Sequence, residues 1–333
     1  KKFTAVVSPT VVSETIPAGL VDGINYNPND ATKGTVVLDA PLKDFVYVAG
    51  SFNNWQPTAA YAMKKDATAG STKFWLELTG LTAGTNYTYQ YWVVDQTPLA
   101  GSPSLVKAAD PYSTLVLSPY DDGGIPATSF PNLPAYPSGQ EREVTWFKTG
   151  QTPYAWSQAT LNFVKPAKEK LVVYEVLVRD FDARRNFQDL IDKIDYFKNL
   201  KVNAIQLMPV MEFEGNESWG YNTSFHMALD KFYGTPEKLK ELIDLYHQNG
   251  IAVILDVALN HAFGRNSMVR MWMNDPDGDG FGSPTTENPY FNTVAKHSYS
   301  VGEDFNHQQA RTKNYVKRVI KQWVEEFKID GFR

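Results

Sequence analysis

The chain has 333 residues, a formal net charge of −5, 43% hydrophobic residues, 14% aromatics and no cysteine. That length exceeds one ordinary domain and that apolar fraction sustains packed cores, so two domains are expected. Disulfides and thiolate metal sites are excluded, no apolar run approaches the ~18 residues of a membrane span, and an acidic chain with scattered Lys and Arg suits a neutral polysaccharide better than a nucleic acid.

Residues 1–32, with Pro9, Pro17 and Pro28, read as a leader segment; the chain opens on Lys1 without a signal peptide, which fits a start behind a processed leader and an exported protein, extracellular or periplasmic. From Lys33 to Ser118 short β-rich runs alternate with turn residues: Thr35 to Leu38, Phe45 to Val48, Phe74 to Leu78, Tyr87 to Val94 and Thr114 to Leu117. Such spacing without helical periodicity predicts a β-sandwich. Trp55, Trp75, Tyr91 and Trp92 are candidates for a glucan-binding face, but strand alternation sends some of them inward, so Trp75 and Trp92 read as core and Trp55 as the best glucan-binding surface candidate. Residues 119–170, rich in proline and carrying Asp121-Asp122-Gly123-Gly124, read as a linker, in which Glu143 to Phe147 is expected to form a docking strand.

From Leu171 the rhythm becomes strand, helix, strand. Strands are predicted at Leu171 to Val178, Val202 to Val210, Ile251 to Val257 and from Ile329. Helices are predicted over Phe187 to Leu200, with Leu190, Ile191, Ile194, Phe197 and Leu200 on one face, from Thr235-Pro236-Glu237 to Gly250, and over Gln308 to Phe327. Alternating βα units mean a parallel sheet, covered by helices on both faces or closed into a barrel. A doubly wound nucleotide fold predicts a glycine-rich loop after the first strand, where Arg179-Asp180-Phe181-Asp182 stands instead. In a barrel, chemistry sits at the C-terminal strand ends, where Asp256, Asn260 and His261 fall.

Two groups of motifs carry a family resemblance. Phe45-Val46-Tyr47-Val48-Ala49-Gly50-Ser51-Phe52-Asn53-Asn54-Trp55 resembles the immunoglobulin-like starch-binding module that precedes the barrel in glycogen-branching enzymes and pullulanases. Asp256-Val257-Ala258-Leu259-Asn260-His261, followed by Asp330-Gly331-Phe332-Arg333, resembles the third- and fourth-strand motifs of the alpha-amylase superfamily of retaining glycosidases and transglycosidases. The resemblance implies an immunoglobulin-like sandwich followed by the first half of a (β/α)8 barrel over 171–333, with 262–307 as a domain-B-like insertion. It implies action on α-1,4 or α-1,6 bonds of starch or glycogen with retention. The family pairs the aspartate at Asp256 with the arginine at Arg333, uses the histidine at His261 to bond the sugar in the cleavage subsite, and lays the tyrosine of Trp219-Gly220-Tyr221-Asn222 under the sugar ring. Without the motif, a lone histidine such as His261 reads as a structural group. The family's nucleophile falls two positions beyond Arg333 and its general acid on a fifth strand, so the expectation is a truncated chain, inactive alone. Hydrolase and branching transferase both remain open, and the rival reading is a noncatalytic glucan-binding protein with a degenerate barrel.

Asp275-Pro276-Asp277-Gly278-Asp279-Gly280 matches the opening of a calcium loop, although Thr286 occupies the position of the bidentate glutamate and Glu287 comes one later. A solvated acidic turn is the alternative. Asn260 matches a position that ligates structural calcium in many amylases and serves as a scaffold amide in others. No cofactor is needed for the chemistry. Glu212, Glu214 and Glu217, after the second strand, read as solvated loop acids rather than a catalytic pair.

Overall fold

The computed structural model describes residues 6–333, and the first five residues of the leader lie outside the described residues. The chain divides into two compact units, each assembled from separate stretches: Lys1–Pro119, Ala135–Gln151 and Gly264–Asn306 in one, Tyr120–Pro134, Thr152–Phe263 and His307–Arg333 in the other.

Up to residue 151 the first unit holds, among the described residues, the short strands β1 (Gly23–Tyr26), β2 (Gly34–Asp39), β3 (Phe45–Gly50), β4 (Lys64–Lys65), β5 (Lys73–Leu78), β6 (Tyr87–Val94), β7 (Leu105–Ala108), β8 (Val116–Leu117) and β9 (Val144–Phe147). They form two antiparallel sheets, β1-β2-β5-β4 and β3-β6-β9-β8, with β7 also paired to β6. β-branched and aromatic side chains such as Val46, Phe74 and Tyr89 are fully buried, as expected of a pleated surface with an apolar face. Trp75 and Trp92 are core residues, 4% and 5% exposed. The strand expected within the linker is an integral rung of this unit, pairing with both β6 and β8.

The stretch 264–306, which follows the third parallel strand in the chain, lies in the first unit and is bonded to its loops and strands. Trp272 Nε1 donates to the Pro41 carbonyl at 2.9 Å, an Arg270 guanidinium nitrogen donates to the Lys107 carbonyl at 2.6 Å, and Asp275 N donates to the Gly101 carbonyl at 2.7 Å.

In the second unit β10 (Val173–Val176), β11 (Ala204–Leu207), β14 (Ala252–Leu255) and the pair Gly331–Phe332 lie side by side in chain order, all parallel. Sequential order without reversal is the winding of a barrel rather than of a dinucleotide-binding sheet. An antiparallel hairpin, β12 (Met211–Phe213) and β13 (Thr223–Leu229), follows β11. Thr235 caps the helix Pro236–Gln248, its side chain accepting from Lys238 N, and the proline sits in the first turn where its missing N–H costs nothing. The helix Ala310–Phe327 buries Thr312, Tyr315, Val319, Trp323 and Phe327, a stripe at three- and four-residue spacing. The helix expected over 187–200 is two shorter ones, Phe187–Asp192 and Ile194–Asn199, because Lys193 leaves helical geometry at φ −100°, ψ 18°. Leu200 then lies past the helix end and is exposed. Among the described residues no helix is long and apolar enough to cross a membrane.

Candidate functional site

Strand register creates the central pair. Ile254 pairs with Gly331 and Leu255 with Phe332, so the next residues along the two strands, Asp256 and Arg333, emerge side by side. Backbone bonds Asp256 N to the Leu207 carbonyl (2.9 Å) and Arg333 N to the Leu255 carbonyl (3.1 Å) fix both positions. The Arg333 guanidinium donates to Asp256 Oδ2 and, at 3.1 Å, to the Tyr221 hydroxyl, which itself donates to Asp256 Oδ2 at 2.6 Å. Asp256 is 3% exposed. Burying a carboxylate that deep is costly unless a cation and hydrogen-bond donors meet it, and both are present. Burial first, and the Asp256 charge second, raise the Tyr221 hydroxyl above its usual pKa against the opposing Arg333, so it remains a donor. The bond to Asp256 raises the pKa of Arg333 in turn.

Tyr221 is held by a stiff loop. Gly220 has φ +89°, and a Cβ there would fall onto the Pro209 carbonyl oxygen, so glycine is required. Around it, Gly220 N donates to Ser218 Oγ (3.0 Å), Ser218 Oγ to Asn222 Oδ1, Asn222 Nδ2 to the Glu214 carbonyl (2.7 Å) and Thr223 Oγ1 to the Gly220 carbonyl (3.0 Å). His261 joins this bracing. Its Nε2 lies 2.5 Å from the Tyr221 carbonyl and its Nδ1 3.0 Å from Asn260 Oδ1. Both ring nitrogens therefore have partners within the protein. The ring thus ties the tyrosine's main chain down from the position that the resemblance gives to a sugar-binding histidine.

Sequence reasoning missed His226. It is fully buried in β13, with Nε2 3.2 Å from the His261 carbonyl, and Trp323 Nε1 donates to its own carbonyl at 2.9 Å. Burial pushes its pKa down to about 4, so it is neutral at physiological pH. Nothing in the run Phe225-His226-Met227-Ala228-Leu229 marks it beyond one polar residue among apolar ones.

The three glutamates need correction. Glu212 is not a solvated loop acid: Met211–Phe213 pairs as a strand, and Glu212 is buried against Lys231, which is 1% exposed. Lys231 Nζ also lies 3.4 Å from Asp122. Adjacent Asp230 accepts from Phe213 N (3.2 Å) and Phe232 N (2.9 Å). The ammonium thus pairs with Glu212 and Asp122, with Asp230 close in the chain. Burial raises Glu212 well above the carboxylate range and Asp230 to about 7, while the surrounding acids raise Lys231 despite its burial. Glu214 accepts from Ser224 Oγ at 3.0 Å and Glu217 pairs with Arg185 at 2.9 Å.

In the first unit, ligand oxygens of Asp275, Asp277 and Asp279 lie within 4.8 Å of one another. Asp275 Oδ1 is buried and makes no hydrogen bond, while Gly278, at φ +70°, turns the loop. Asn260 belongs to the other unit, where it contacts His261. Trp55 is only partly exposed and packs against the cluster of Phe45, Tyr47, Ala49, Trp92 and Val94.

Comparisons with known proteins place these features. Residues 180–296 match the model of the alpha amylase catalytic domain. A malto-oligosyltrehalose trehalohydrolase of Saccharolobus solfataricus is 33% identical over 176 residues, covering 52% of this chain and 28% of that protein. A 1,4-alpha-glucan-branching enzyme of Aspergillus oryzae is 36% identical over 138 residues, 41% of this chain and 19% of that protein. The chain thus spans well under half the length of these relatives. Among solved structures, the group B Streptococcus pullulanase in complex with maltotetraose superposes with a TM-score of 0.66 at 22% identity, over 95% of this chain and 42% of that one, a likeness of fold. With the Asp256 and Arg333 motifs on adjacent strand ends and the catalytic-domain match across 180–296, this chain is similar to the alpha-amylase superfamily of glycoside hydrolases and transglycosidases.

Proposed function

We propose that the second unit carries one wall of the substrate site of a retaining enzyme that cleaves or transfers α-1,4 or α-1,6 bonds in starch or glycogen. The observation that carries the reading is the bonded set Tyr221, Asp256 and Arg333 at the C-terminal ends of parallel strands. An aromatic ring whose hydroxyl is anchored to a buried carboxylate offers its face to the apolar C–H patch of a sugar, and Arg333 supplies the cation that pairs with that carboxylate. Retention requires an attacking carboxylate and an acid about 5 Å apart. The residues assigned here bind and orient; His261 and Asn260 position Tyr221 from below. The maltotetraose-bound pullulanase among the structural neighbours supports an α-glucan as the ligand.

Titrating the chain with maltotetraose tests this. Saturable binding that Tyr221→Ala abolishes and Asp256→Asn weakens at least tenfold is expected, and equal binding by all three proteins refutes it. Product analysis on amylose separates the two enzyme classes, since new α-1,6 linkages mean a branching transferase and shortened chains without them mean a hydrolase.

We further propose that Asp275, Asp277 and Asp279 hold a structural calcium ion. The buried, unbonded Asp275 Oδ1 and the close carboxylates fit a hard, oxygen-seeking cation, which would cross-link the 264–306 stretch without entering the chemistry. Calcium is expected to raise the melting temperature of the parent chain and not that of Asp277→Ala; identical melting with calcium or chelator refutes the site.

A further inference from the structure

We infer that His226 is a positioning residue for the candidate site: buried in β13, it grips the segment that joins Asp256 to His261 and, through the His261 ring, sets where Tyr221 stands. The sugar-binding meaning of that placement rests on the glucan reading; the bonds that carry it do not.

An imidazole is a costly filler for a core. His226 is fully buried in the run Phe225-His226-Met227-Ala228-Leu229, and taking a ring with two polar nitrogens out of water costs stability that phenylalanine or leucine there would not. The fall of its pKa to about 4 reflects that desolvation. What sets it apart from a core residue is where its polar atoms go. Nε2 lies 3.2 Å from the His261 carbonyl, and a second bond joins the ring to the main chain of Ala258. Both partners belong to the run Asp256-Val257-Ala258-Leu259-Asn260-His261, so one side chain holds that segment at two points. On its other side Nδ1 lies 3.4 Å from the Tyr315 hydroxyl, the two rings meet edge to face, and Trp323 Nε1 donates to the His226 carbonyl at 2.9 Å. Tyr315 and Trp323 come from the buried stripe of the helix Ala310–Phe327. The imidazole is thus wedged between a long helix and the segment that carries Asp256.

Two links run on from there to Tyr221. His261, whose carbonyl meets His226, places its own Nε2 2.5 Å from the Tyr221 carbonyl. Phe263 N donates to the Thr223 carbonyl at 2.9 Å, two residues past Tyr221. Turning the His261 main chain would swing its ring off the tyrosine's carbonyl, and a loosened tyrosine would lose the 2.6 Å bond from its hydroxyl to Asp256. Hydrogen bonds linked in series act together, so removing one member is felt at the far end as coupling.

The test is NMR of the full chain labelled at its tyrosine rings, with the Tyr221 signal identified by Tyr221→Phe, beside maltotetraose titration and urea unfolding of the parent, His226→Phe and His226→Gln. Phenylalanine keeps a ring and donates nothing; glutamine keeps an N–H for the His261 carbonyl. In His226→Phe the Tyr221 signal is expected to move or broaden and maltotetraose to bind about three- to tenfold more weakly, while His226→Gln stays near the parent in both. In a His261→Ala background His226→Phe should weaken binding no further, because the link it acts through is already gone. His226→Leu takes the place of His226→Phe if that variant does not fold. An unmoved Tyr221 signal in His226→Phe, or binding that falls in step with unfolding stability whether or not the replacement can donate, refutes the positioning and leaves His226 a core residue. If the parent binds no maltotetraose, the glucan reading falls and the Tyr221 signal alone decides the positioning.

Discussion

Replacing Lys231 with methionine removes the ammonium that pairs with Glu212 and Asp122. The lysine is 1% exposed and Glu212 5%, so neither partner can turn to water for compensation. Breaking a buried pair by deleting one member costs about 3–5 kcal/mol, because the remaining charge stays desolvated. The carboxyls have an escape, which is to bind a proton. In the parent, Glu212 and Asp230 already have pKa values raised by burial, Asp230 to about 7, and loss of the lysine raises them further. A group whose folded pKa lies above its unfolded one stabilises the fold fully at low pH and loses that contribution as pH rises through the folded value. Lys231→Met is therefore expected to be most destabilised at pH 8, and to recover by up to about 1.4 kcal/mol per pH unit for each proton retained as pH falls towards 5. Urea unfolding of parent and variant at several pH values measures it. The double variant Lys231→Met, Glu212→Leu should regain much of the loss, since an apolar pair of similar volume replaces a buried ion pair at little cost. A loss below about 1 kcal/mol at pH 8, or one independent of pH, would refute the account of a cluster short of positive charge.

His226 runs in the opposite direction. Its pKa falls from 6.5 to about 4 on folding, so stability present above pH 6.5 is lost as pH falls towards 4, by about 3 kcal/mol from this group. His226→Gln should flatten that limb of the stability profile relative to the parent, and parallel profiles would contradict it. Gly220→Ala combines a left-handed backbone with a clash on the Pro209 carbonyl, and is expected to destabilise by about 2 kcal/mol or more and to abolish maltotetraose binding. Wild-type binding by that variant would show that the Tyr221 loop is not held as described.

The parts of the site that were legible in the sequence are those fixed locally. Asp256 stands at the end of an apolar strand, and Arg333 ends a motif on the next strand in chain order. Chain order alone then brings the strands together, because sequential βα units place neighbours in sequence beside each other in space. What escaped depends on pairing over distance. Glu212 looks like one of three loop acids until the three-residue strand Met211–Phe213 finds Thr223–Leu229 and carries it inward to Lys231. The docking of 264–306 onto the sandwich rests on single side chains, Trp272 on Pro41 and Arg270 on Lys107, that no periodicity announces. The bracing of Tyr221 and Asn260 by the two ring nitrogens of His261 likewise joins separate segments and is not marked by the motif that singles out the histidine.

The pairing of Asp256 with Arg333 is set as much by the other end of their strands as by their own attraction. Asp330 Oδ2 accepts from Val253 N at 2.8 Å and lies 2.8 Å from His247 Nε2, while Asp330 N donates to the Val253 carbonyl at 2.9 Å. These contacts pin the last strand at its start, so that Gly331 meets Ile254, Phe332 meets Leu255 and the guanidinium arrives at the buried carboxylate. Parallel strands alternate their side chains, so a slip of one residue would bring Phe332 to Asp256 and reverse which face each side chain takes. Asp256 would then be a buried charge without a cation, the costly state that Arg333 prevents. One aspartate of the terminal motif thus fixes the register in which its arginine can neutralise the other aspartate, which is why the two acids, seventy-four positions apart in the chain, act as parts of a single arrangement.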